Sequence, residues 1–402
     1  MINLSNKLNN YKMVDIVKYI AAIMVICIHC NPITSQEPLN FFIKNIVCRI
    51  AVPFFFISSA YFVRKGSDHK EKYIKNYLKK LGKSYLAWSI LFIYVGISWI
   101  NEHLGYSGFL LIISFFFGLL QVGVYYHLWY IPAMIFSLFI VNKALKYISY
   151  KTVFLISILL FMFGSLETYY GFLPAGILKN TFDGIIQLIF TTRTGLLFGS
   201  IFVTIGFFIY DYQERLQSLL KFLPFLTILF SFLLMVEGFF LFNVERLDMN
   251  FLLMLIPFSF FFFLWILSSS IKIKIDTKKI RELSMYYYFV HPVCIILVEE
   301  TGKGYQLSWL RSGVISFFLI VLFTHFLSLI IIEIRKKARS RKQIFLAGFL
   351  GIFVTFPVGI LFFVNRVDNI NVKYEMVPCL WFVFSFVVYY LLQKRKKIKA
   401  VN

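Results

Sequence analysis

Apolar segments close to the length of a membrane span recur along almost the whole chain, and charged residues gather in the short stretches between them. A helix needs about 20 predominantly apolar residues to cross the hydrocarbon core of a bilayer. The pattern therefore predicts an all-α, polytopic transmembrane helix bundle of about 12 spans. We place the spans at residues 13–30, 45–63, 84–100, 127–143, 153–166, 195–210, 222–241, 250–269, 286–299, 312–333, 344–364 and 377–393.

The composition indicates that lipid is the solvent for most of the chain. Hydrophobic residues make up 59% of the 402 residues and charged residues only 15%, against roughly 25% in an ordinary soluble domain. A net charge of +22 would suggest nucleic acid in a soluble protein. Here the basic residues lie in short runs between apolar segments, so we expect no nucleic-acid partner. We expect a multi-pass protein of the cell membrane, in contact with membrane lipid and of bacterial type.

Alternate loops are strongly basic, and this asymmetry predicts the topology. Because Lys and Arg mark cytoplasmic loops, twelve spans place every basic loop and both termini in the cytoplasm. The basic stretches are residues 64–83, 142–151, 272–282, 335–342 and 393–399. An apolar stretch at 107–120 lies in a predicted outside loop, and we expect a re-entrant or interfacial helix there.

Ionisable residues within predicted spans are costly, so each is a functional candidate. In the first span Asp15 and Lys18 share one helical face. His29 follows Lys18 by about three helical turns, which places it on the same side and roughly 16 Å further along. The alternative is a Lys18 that reaches to the membrane surface and an interfacial His29.

The second span contains Arg49. Its guanidinium matches the geometry of a carboxylate or phosphate in a two-point contact, so we expect substrate binding. The structural alternative is an ion pair with a carboxylate elsewhere in the bundle, such as Glu167 or Glu237.

Further candidates lie at later spans. Arg193 opens one span, and His291 precedes Pro292, which would kink its helix and free a backbone carbonyl. We therefore expect His291 to face a cavity. Cys27 and Cys30 form a C-x-x-C pair with no second ligand cluster, which favours apolar packing over a metal site.

Five motifs in order carry a resemblance to a known family. They are Lys-x10-His at 18–29, R-x-A-V-P-F-F-F-x-x-S-A-Y-F at 49–62, L-W-Y-I at 128–131, R-x-G-x-x-F-x-x-x-F-x-x-x-G at 193–206 and S-x-x-x-Y-x-x-H-P at 284–292. Together they resemble the acyltransferase-3 family of integral membrane acyltransferases, and look most like the membrane domains of VanT-type serine racemases. The chain departs from the family at Ala60, where glycine is usual, and at Lys18, where Arg is common.

The resemblance implies a ten-helix acyltransferase-like transmembrane domain over residues 1–340. Residues 341–402 would add two transmembrane helices and a basic cytoplasmic tail. Racemase activity is not implied, because the soluble racemase domain of the VanT-type proteins has no counterpart in this sequence.

The resemblance also implies an activity, namely transfer of an acyl group to a hydroxyl of a cell-envelope glycan, a lipid-linked precursor or a related acceptor. The donor would be acyl-CoA, commonly acetyl-CoA, and no metal is implied. The catalytic residues would be His29, Lys18, Asp15, Arg193 and His291. The substrate-binding residues would be Arg49, Ser58, Trp129, Tyr130, Glu237 and Tyr288.

Each of these residues has an expected role. His29 would act as general base on the hydroxyl. Lys18, Arg49 and the basic loop 64–83 would attract the phosphates of CoA, and Asp15 would hold Lys18 in place. Arg193 or His291 would steady the oxyanion that forms from the thioester.

A permease for a small amino acid such as serine is the alternative function, because Arg49, Glu237 and His291 would also suit a zwitterion. The Lys18–His29 spacing favours the enzyme, since a permease has no evident need of a base there. We find no internal repeat in the sequence, so nothing in it supports an inverted-repeat transporter. A structural or sensory membrane protein without turnover is a third hypothesis.

Overall fold

The computed structural model describes residues 10–70, 72–104 and 108–337, and within these ranges the chain is helical and contains no strand. The α-helices are α1 (Tyr11–His29), α2 (Glu37–Phe42), α3 (Ala51–His69), α4 (Tyr73–Leu104), α5 (Gly108–Gln121), α6 (Tyr130–Ala144), α7 (Tyr150–Ser165), α8 (Ile177–Ile189), α9 (Ser200–Asp211), α10 (Leu223–Leu241), α11 (Leu255–Leu267), α12 (Lys278–Gly304), α13 (Ser308–Arg311) and α14 (Val314–Lys337). The all-α prediction is confirmed for these residues. The predicted spans at 344–364 and 377–393, and the domain 341–402, lie outside them.

The chain forms two compact units. Of the described residues, the first contains those in 10–21 and 41–277, and the second contains those in 22–40 and 278–337. Helix α1 contributes its first part to the first unit and its last part, which includes His29, to the second.

Every predicted span up to residue 333 corresponds to a described helix. Among the described residues, three helical stretches are long and apolar enough to cross a membrane, namely Glu37–His69, Arg215–Leu241 and Val314–Lys336. Others, such as α6, α7 and α11, are apolar but shorter. A helical membrane protein is therefore supported, whereas the number of spans and the side on which the termini lie stay predictions.

The second predicted span is not one regular helix. A π-helical turn (Ile43–Val47) and a 3₁₀ turn (Cys48–Ile50) separate α2 from α3, and Arg49 lies in the latter. A second π-helical turn, Gly195–Gly199, precedes α9 and follows Arg193 by two residues. Such π-helical turns are rare in proteins, and those that do occur are often found at functional sites. Both candidate arginines are thus held beside irregular helical turns.

Helices α3 and α9 cross closely because Gly206 has no side chain. A Cβ at that position would lie 2.5 Å from the carbonyl oxygen of Ile57 and 2.7 Å from the Cβ of Ala60. Small residues allow helix backbones to approach in this way. The alanine at position 60, where the family has glycine, is therefore accommodated by the glycine opposite it.

Two of the longer helices lie outside the predicted spans. The apolar stretch at 107–120, where we expect a re-entrant or interfacial helix, forms α5, whose outer face exposes Phe109, Phe116 and Leu120. The predicted loop 167–194 contains α8, which buries Phe182. At 13 residues α8 is too short to register as a span, so a search by span length overlooks it. The basic loop 64–83 is also largely helical, since α3 ends and α4 begins within it.

Candidate functional site

A pair of histidines lies in the second unit. His29 is the last residue of α1, and His291 lies on α12. Their imidazole rings are nearly parallel, with an interplanar angle of 23° and centroids 5.5 Å apart. His29 is half-buried, whereas His291 is fully buried. The two histidines expected to be catalytic are therefore neighbours, and we call them the histidine pair.

The backbone of α12 orients the ring of His291. Its Nδ1 lies 2.9 Å from the carbonyl oxygen of Tyr287. The ring also contacts the carbonyl of Tyr288, which Pro292 leaves without a helical donor because proline has no N–H. A carbonyl only accepts, so Nδ1 carries the proton and Nε2 of the neutral ring is an acceptor. His291 would have to be protonated at Nε2 before it could stabilise an oxyanion.

Helix α14 supports this part of α12. The hydroxyl of the buried Tyr287 lies 2.7 Å from Nδ1 of His325, which gives His325 a structural role. Tyr288 is half-buried and packs edge-on against Phe289, with ring centroids 5.0 Å apart. Substrate binding by Tyr288 stays a prediction.

The first part of α1 has its own polar contacts in the first unit. Nζ of Lys18 lies 5.1 Å from the centroid of the Phe62 ring, within the range of a cation–π interaction. The buried Asp15 accepts a hydrogen bond of 2.7 Å from the hydroxyl of Thr277. Asp15 thus ties α1 to the segment before α12, and its expected hold on Lys18 stays a prediction.

Two arginines and two residues of the loop before α11 form a second cluster, in the first unit. Nε of Arg193 lies 2.6 Å from Oδ2 of Asp248. Nη1 of Arg49 donates to Oδ1 of Asn250 at 2.7 Å, and its Nη2 donates to Oδ1 of Asn45 at 3.2 Å. The Asn250 amide in turn donates to Asp248. We call Arg49, Arg193, Asp248 and Asn250 the arginine network.

The charges of this network are unevenly matched. Arg193 is paired with Asp248, but the direct partners of Arg49 in the described part of the chain are uncharged amides. Within the described residues Arg49 forms no ion pair with Glu167 or Glu237, which was the structural alternative expected from the sequence. A positive charge with amide partners is well suited to an anionic ligand.

Glu167 links the arginine network to the turn after α7. Its carboxylate accepts hydrogen bonds from the backbone N–H of Thr192 at 2.9 Å and the Thr192 hydroxyl at 2.8 Å. Burial, and then the negative charge of Asp248, raise the pKa of Glu167 to about 6, although the bonds from Thr192 oppose the shift. Glu167 can therefore change its charge near neutral pH.

The side chain of Glu237 has a structural role at the start of α11. Its carboxylate accepts backbone hydrogen bonds from Leu253 at 2.5 Å and Met254 at 3.0 Å, and a further one from the hydroxyl of Tyr169. These groups lie at the start of α11, where a negative charge interacts favourably with the helix dipole. The expected role of Glu237 in substrate binding stays a prediction.

The remaining candidates lie in the first unit. Trp129 joins the arginine network, since its ring lies 5.7 Å from the guanidinium of Arg193. Ser58 is buried and donates to the Phe55 carbonyl at 3.3 Å. The hydroxyl of Tyr130 lies 3.5 Å from that of Ser59. Ser58 and Tyr130 therefore contribute to packing around α3, and their role in binding stays a prediction.

The sequence analysis did not identify Asp248, Asn250 or Thr192. Asp248 and Asn250 lie in a loop, where no helical periodicity marks a face. The available signal was a pair of polar residues, Asp248-Met249-Asn250, directly before the apolar run that becomes α11. No group of three or more His, Cys, Asp or Glu side chains that could hold a metal occurs within residues 10–70, 72–104 and 108–337.

Comparison with known proteins relates the chain to one family. A family model described as an acyltransferase domain matches residues 11–333. An "Amino-acid racemase" of Enterococcus faecalis is 29% identical over 340 residues, which cover 82% of this chain and 47% of that protein. A "Serine/alanine racemase" of Enterococcus gallinarum is 26% identical over 322 residues, which cover 78% of this chain and 45% of that protein. The chain thus spans less than half the length of these relatives, and no solved structure matches it.

Proposed function

This chain belongs to the acyltransferase-3 family, and we propose that it is a membrane-bound O-acyltransferase. The acyl group, acetyl in the simplest case, would pass from cytoplasmic acyl-CoA to a hydroxyl of a cell-envelope glycan, a lipid-linked precursor or a related acceptor. His29 would be the general base. The relatives are named as racemases, but the matched segment is the acyltransferase domain, so we base the proposal on the family.

The histidine pair is the observation that carries the proposal. A general base must be reachable by its substrate, and His29 is half-buried at the end of its helix. His291 stacks on it with its Nδ1 proton directed at a backbone carbonyl. A neutral imidazole in this position adds no positive charge, so it would not oppose protonation of His29 during the reaction.

The proposed step conserves atoms and charge. As the acceptor oxygen attacks the thioester carbon, its proton moves to a ring nitrogen of His29. The C–O bond forms and the C–S bond breaks. The proton on the imidazolium then passes to the leaving thiolate, which yields the ester and free CoA, and His29 returns to its neutral form.

The donor would be recognised by positive charge. CoA carries several phosphates, and lysines crowd the C-terminal end of α3 and the first turns of α4. Lys18 would add a further charge in the first unit. Electrostatic attraction of this kind weakens as salt screens it, so donor binding should fall with ionic strength.

Arg49 and Arg193 would act on one substrate, because both belong to one network. This revises the roles expected from the sequence, which assigned Arg49 to the phosphates of CoA and Arg193 or His291 to the oxyanion. The ion pair with Asp248 and the hydrogen bond from Nε to the Thr191 hydroxyl restrict the position of Arg193, and recognition of an anionic group requires such preorganisation.

Acetyl-CoA binding and turnover by the purified protein in nanodiscs test the proposal. We expect the wild type to bind acetyl-CoA and release CoA, and Lys18→Ala to bind it at least several-fold more weakly. Lys221→Ala is a matched control, because Lys221 also lies over a phenylalanine ring, that of Phe222, at 4.7 Å. Absence of acetyl-CoA binding by the wild type would refute the proposal.

A permease for a small amino acid is the second candidate, and the arginine network is the observation in its favour. Arg193 and Asp248 offer both signs of charge within one cluster, as a zwitterion requires. The names of the relatives also refer to amino acids, including serine and alanine. Counterflow of labelled serine into vesicles distinguishes the two functions, and its absence for any amino acid would exclude the permease.

A further inference from the structure

A cavity of about 170 Å³ lies in the first unit, between α5, the turn that precedes α6 and the segment that precedes the second π-helical turn. Its walls are mainly aromatic, with Phe115, Phe117, Tyr125, Tyr126 and Phe190 among the lining residues. For comparison, an engineered protein cavity of about 150 Å³ holds a benzene molecule. The space therefore suits a compact ring-sized body rather than a single ion or water.

Arg193 forms the charged part of this lining, beside Trp129 and Thr191. Its polar side-chain contacts with described residues use Nε, which meets Asp248 at 2.6 Å and the Thr191 hydroxyl at 3.4 Å. The terminal Nη groups carry four of the five N–H donors of a guanidinium. With Nε held by the protein, these donors are the part of Arg193 that a ligand would meet.

Two terminal nitrogens of an arginine match the two oxygens of a carboxylate or phosphate. The charge of the surrounding residues also favours an anion. Arg49 adds a second positive charge to the network, and its own direct partners are neutral. Asp248 faces both arginines, and Glu167 adds a second negative charge near Arg193 that is lost as the pH falls through about 6, so that the two arginines then face one carboxylate.

The aromatic walls determine what the anionic group is attached to. The rings of Tyr125 and Tyr126 lie 4.4 Å apart, and the Trp129 ring faces the guanidinium. Aromatic faces bury flat apolar surfaces, whereas hydroxyl groups at their edges form hydrogen bonds. This combination suits a ring with both C–H faces and hydroxyls, as in a sugar.

We propose that this cavity binds the acyl acceptor, and that the acceptor carries a carboxylate or phosphate on a sugar-like ring. The identification of this ligand as the acyl acceptor rests on the proposed function. The anion site itself rests on the cavity, the terminal nitrogens of Arg193 and the positive charge of Arg49.

Ligand-observed NMR with the protein in nanodiscs tests the site, using glucuronate, glucose 1-phosphate and glucose as probes. The three share a sugar ring and differ in carboxylate, phosphate or neither, so they also show which anion is preferred. We expect one or both anions to bind at least tenfold more tightly than glucose. Arg193→Lys should weaken anion binding about tenfold, because lysine keeps the charge but loses the two-point geometry.

A cavity-filling variant gives an independent measurement. A Cβ at Gly118, which lines the cavity, would meet only Gly123 and Val122 at ordinary contact distances. Gly118→Leu should therefore fold, fill the cavity and abolish anion binding. Gly184→Leu on α8 is the matched control, because a Cβ there has nothing within 4 Å, and it should bind as the wild type does.

The result that overturns the inference is equal binding of glucose and the two anions, or unchanged anion binding in both Arg193→Lys and Gly118→Leu. Acetyl-CoA binding by the same preparation separates this failure from that of the proposed function. Acetyl-CoA binding without anion selectivity would refute the cavity proposal alone. Anion selectivity without acetyl-CoA binding would refute the assignment of the ligand as an acyl acceptor.

Discussion

The imidazole rings of His29 and His291 stack 5.5 Å apart, although one ends α1 and the other lies in the middle of α12. The backbone carbonyl of Tyr287 orients the His291 ring, so α12 itself sets the orientation of this member of the histidine pair. Because His29 stacks on this oriented ring, the base is restricted to a narrower range of positions, which contributes to catalysis through orientation.

Replacement of His291 by phenylalanine tests the contribution of its ring nitrogens. His291→Phe keeps a flat ring beside His29 but removes the polar atoms. We expect kcat for acyl transfer to fall about tenfold, because a phenyl ring lacks the Nδ1 hydrogen bond that orients the stacked pair. The acid limb of the pH–rate profile should move, and KM for acetyl-CoA should stay unchanged. Thermal unfolding checks that the variant folds. An unchanged kcat and pH profile in a folded variant would show that His291 only fills space.

Glu167 should make anion binding depend on pH. Its pKa of about 6 lies above the ordinary value of 4.5, so it gains a proton as the pH falls from 7 to 5. Loss of this negative charge near Arg193 and Asp248 leaves the site more positive. Glucuronate, whose carboxyl stays ionised in this range, should therefore bind several-fold more tightly at pH 5 than at pH 7.

The Glu167→Gln variant provides the control, because a neutral side chain should give tight binding at both pH values. Persistence of the full pH dependence in this variant would assign the pH dependence of binding to another group.

The raised pKa of Glu167 also makes the stability of the fold depend on pH. The contribution of Glu167 to stability is greatest below about pH 4.5 and is lost as the pH rises through 6.

Glu237→Gln should lower stability rather than substrate affinity. The carboxylate accepts two backbone N–H groups at the start of α11, and hydrogen bonds to a charged group contribute about 1.5–3 kcal/mol each. We expect a lower unfolding temperature with unchanged glucuronate binding per folded protein. Glu245→Gln, which removes only an exposed pair with Lys179, should change stability little. Weaker binding at normal stability would instead support a substrate role for Glu237.

The crossing of α3 and α9 should not tolerate a side chain at position 206. Gly206→Ala places a Cβ 2.5 Å from the Ile57 carbonyl oxygen, and overpacking of this kind typically costs about 1–3 kcal/mol. Gly184→Ala introduces the same change on α8 without a clash and should be neutral or slightly stabilising. Equal unfolding temperatures for the two variants would contradict the close crossing.

The helices were predictable from the sequence because apolar runs of span length have few alternatives in lipid. The predicted spans from 13–30 to 312–333 all fall on helices. The π-helical turns beside Arg49 and Arg193 were not predictable, since they depend on how neighbouring helices pack rather than on local periodicity. Helix α8 was missed because it is short and lies on the surface of its unit.

The candidate site was predictable as a set of residues but not as an arrangement. His29 and His291 stood out as polar groups within apolar runs, whereas their stacking depends on contacts between elements far apart in sequence. Arg49 and Arg193 were identified separately, but the loop residues Asp248 and Asn250 that join them carry no periodic signal.

Acyl transfer by His29→Ala tests the central claim most directly, with acetyl-CoA binding measured on the same nanodisc preparation. His69→Ala is the control, because His69 is an exposed histidine at the end of α3. A general base contributes roughly 10²–10⁴-fold to the rate, so His29→Ala should lose that factor in kcat, bind acetyl-CoA normally and differ sharply from His69→Ala. Full transfer activity in His29→Ala would contradict the account.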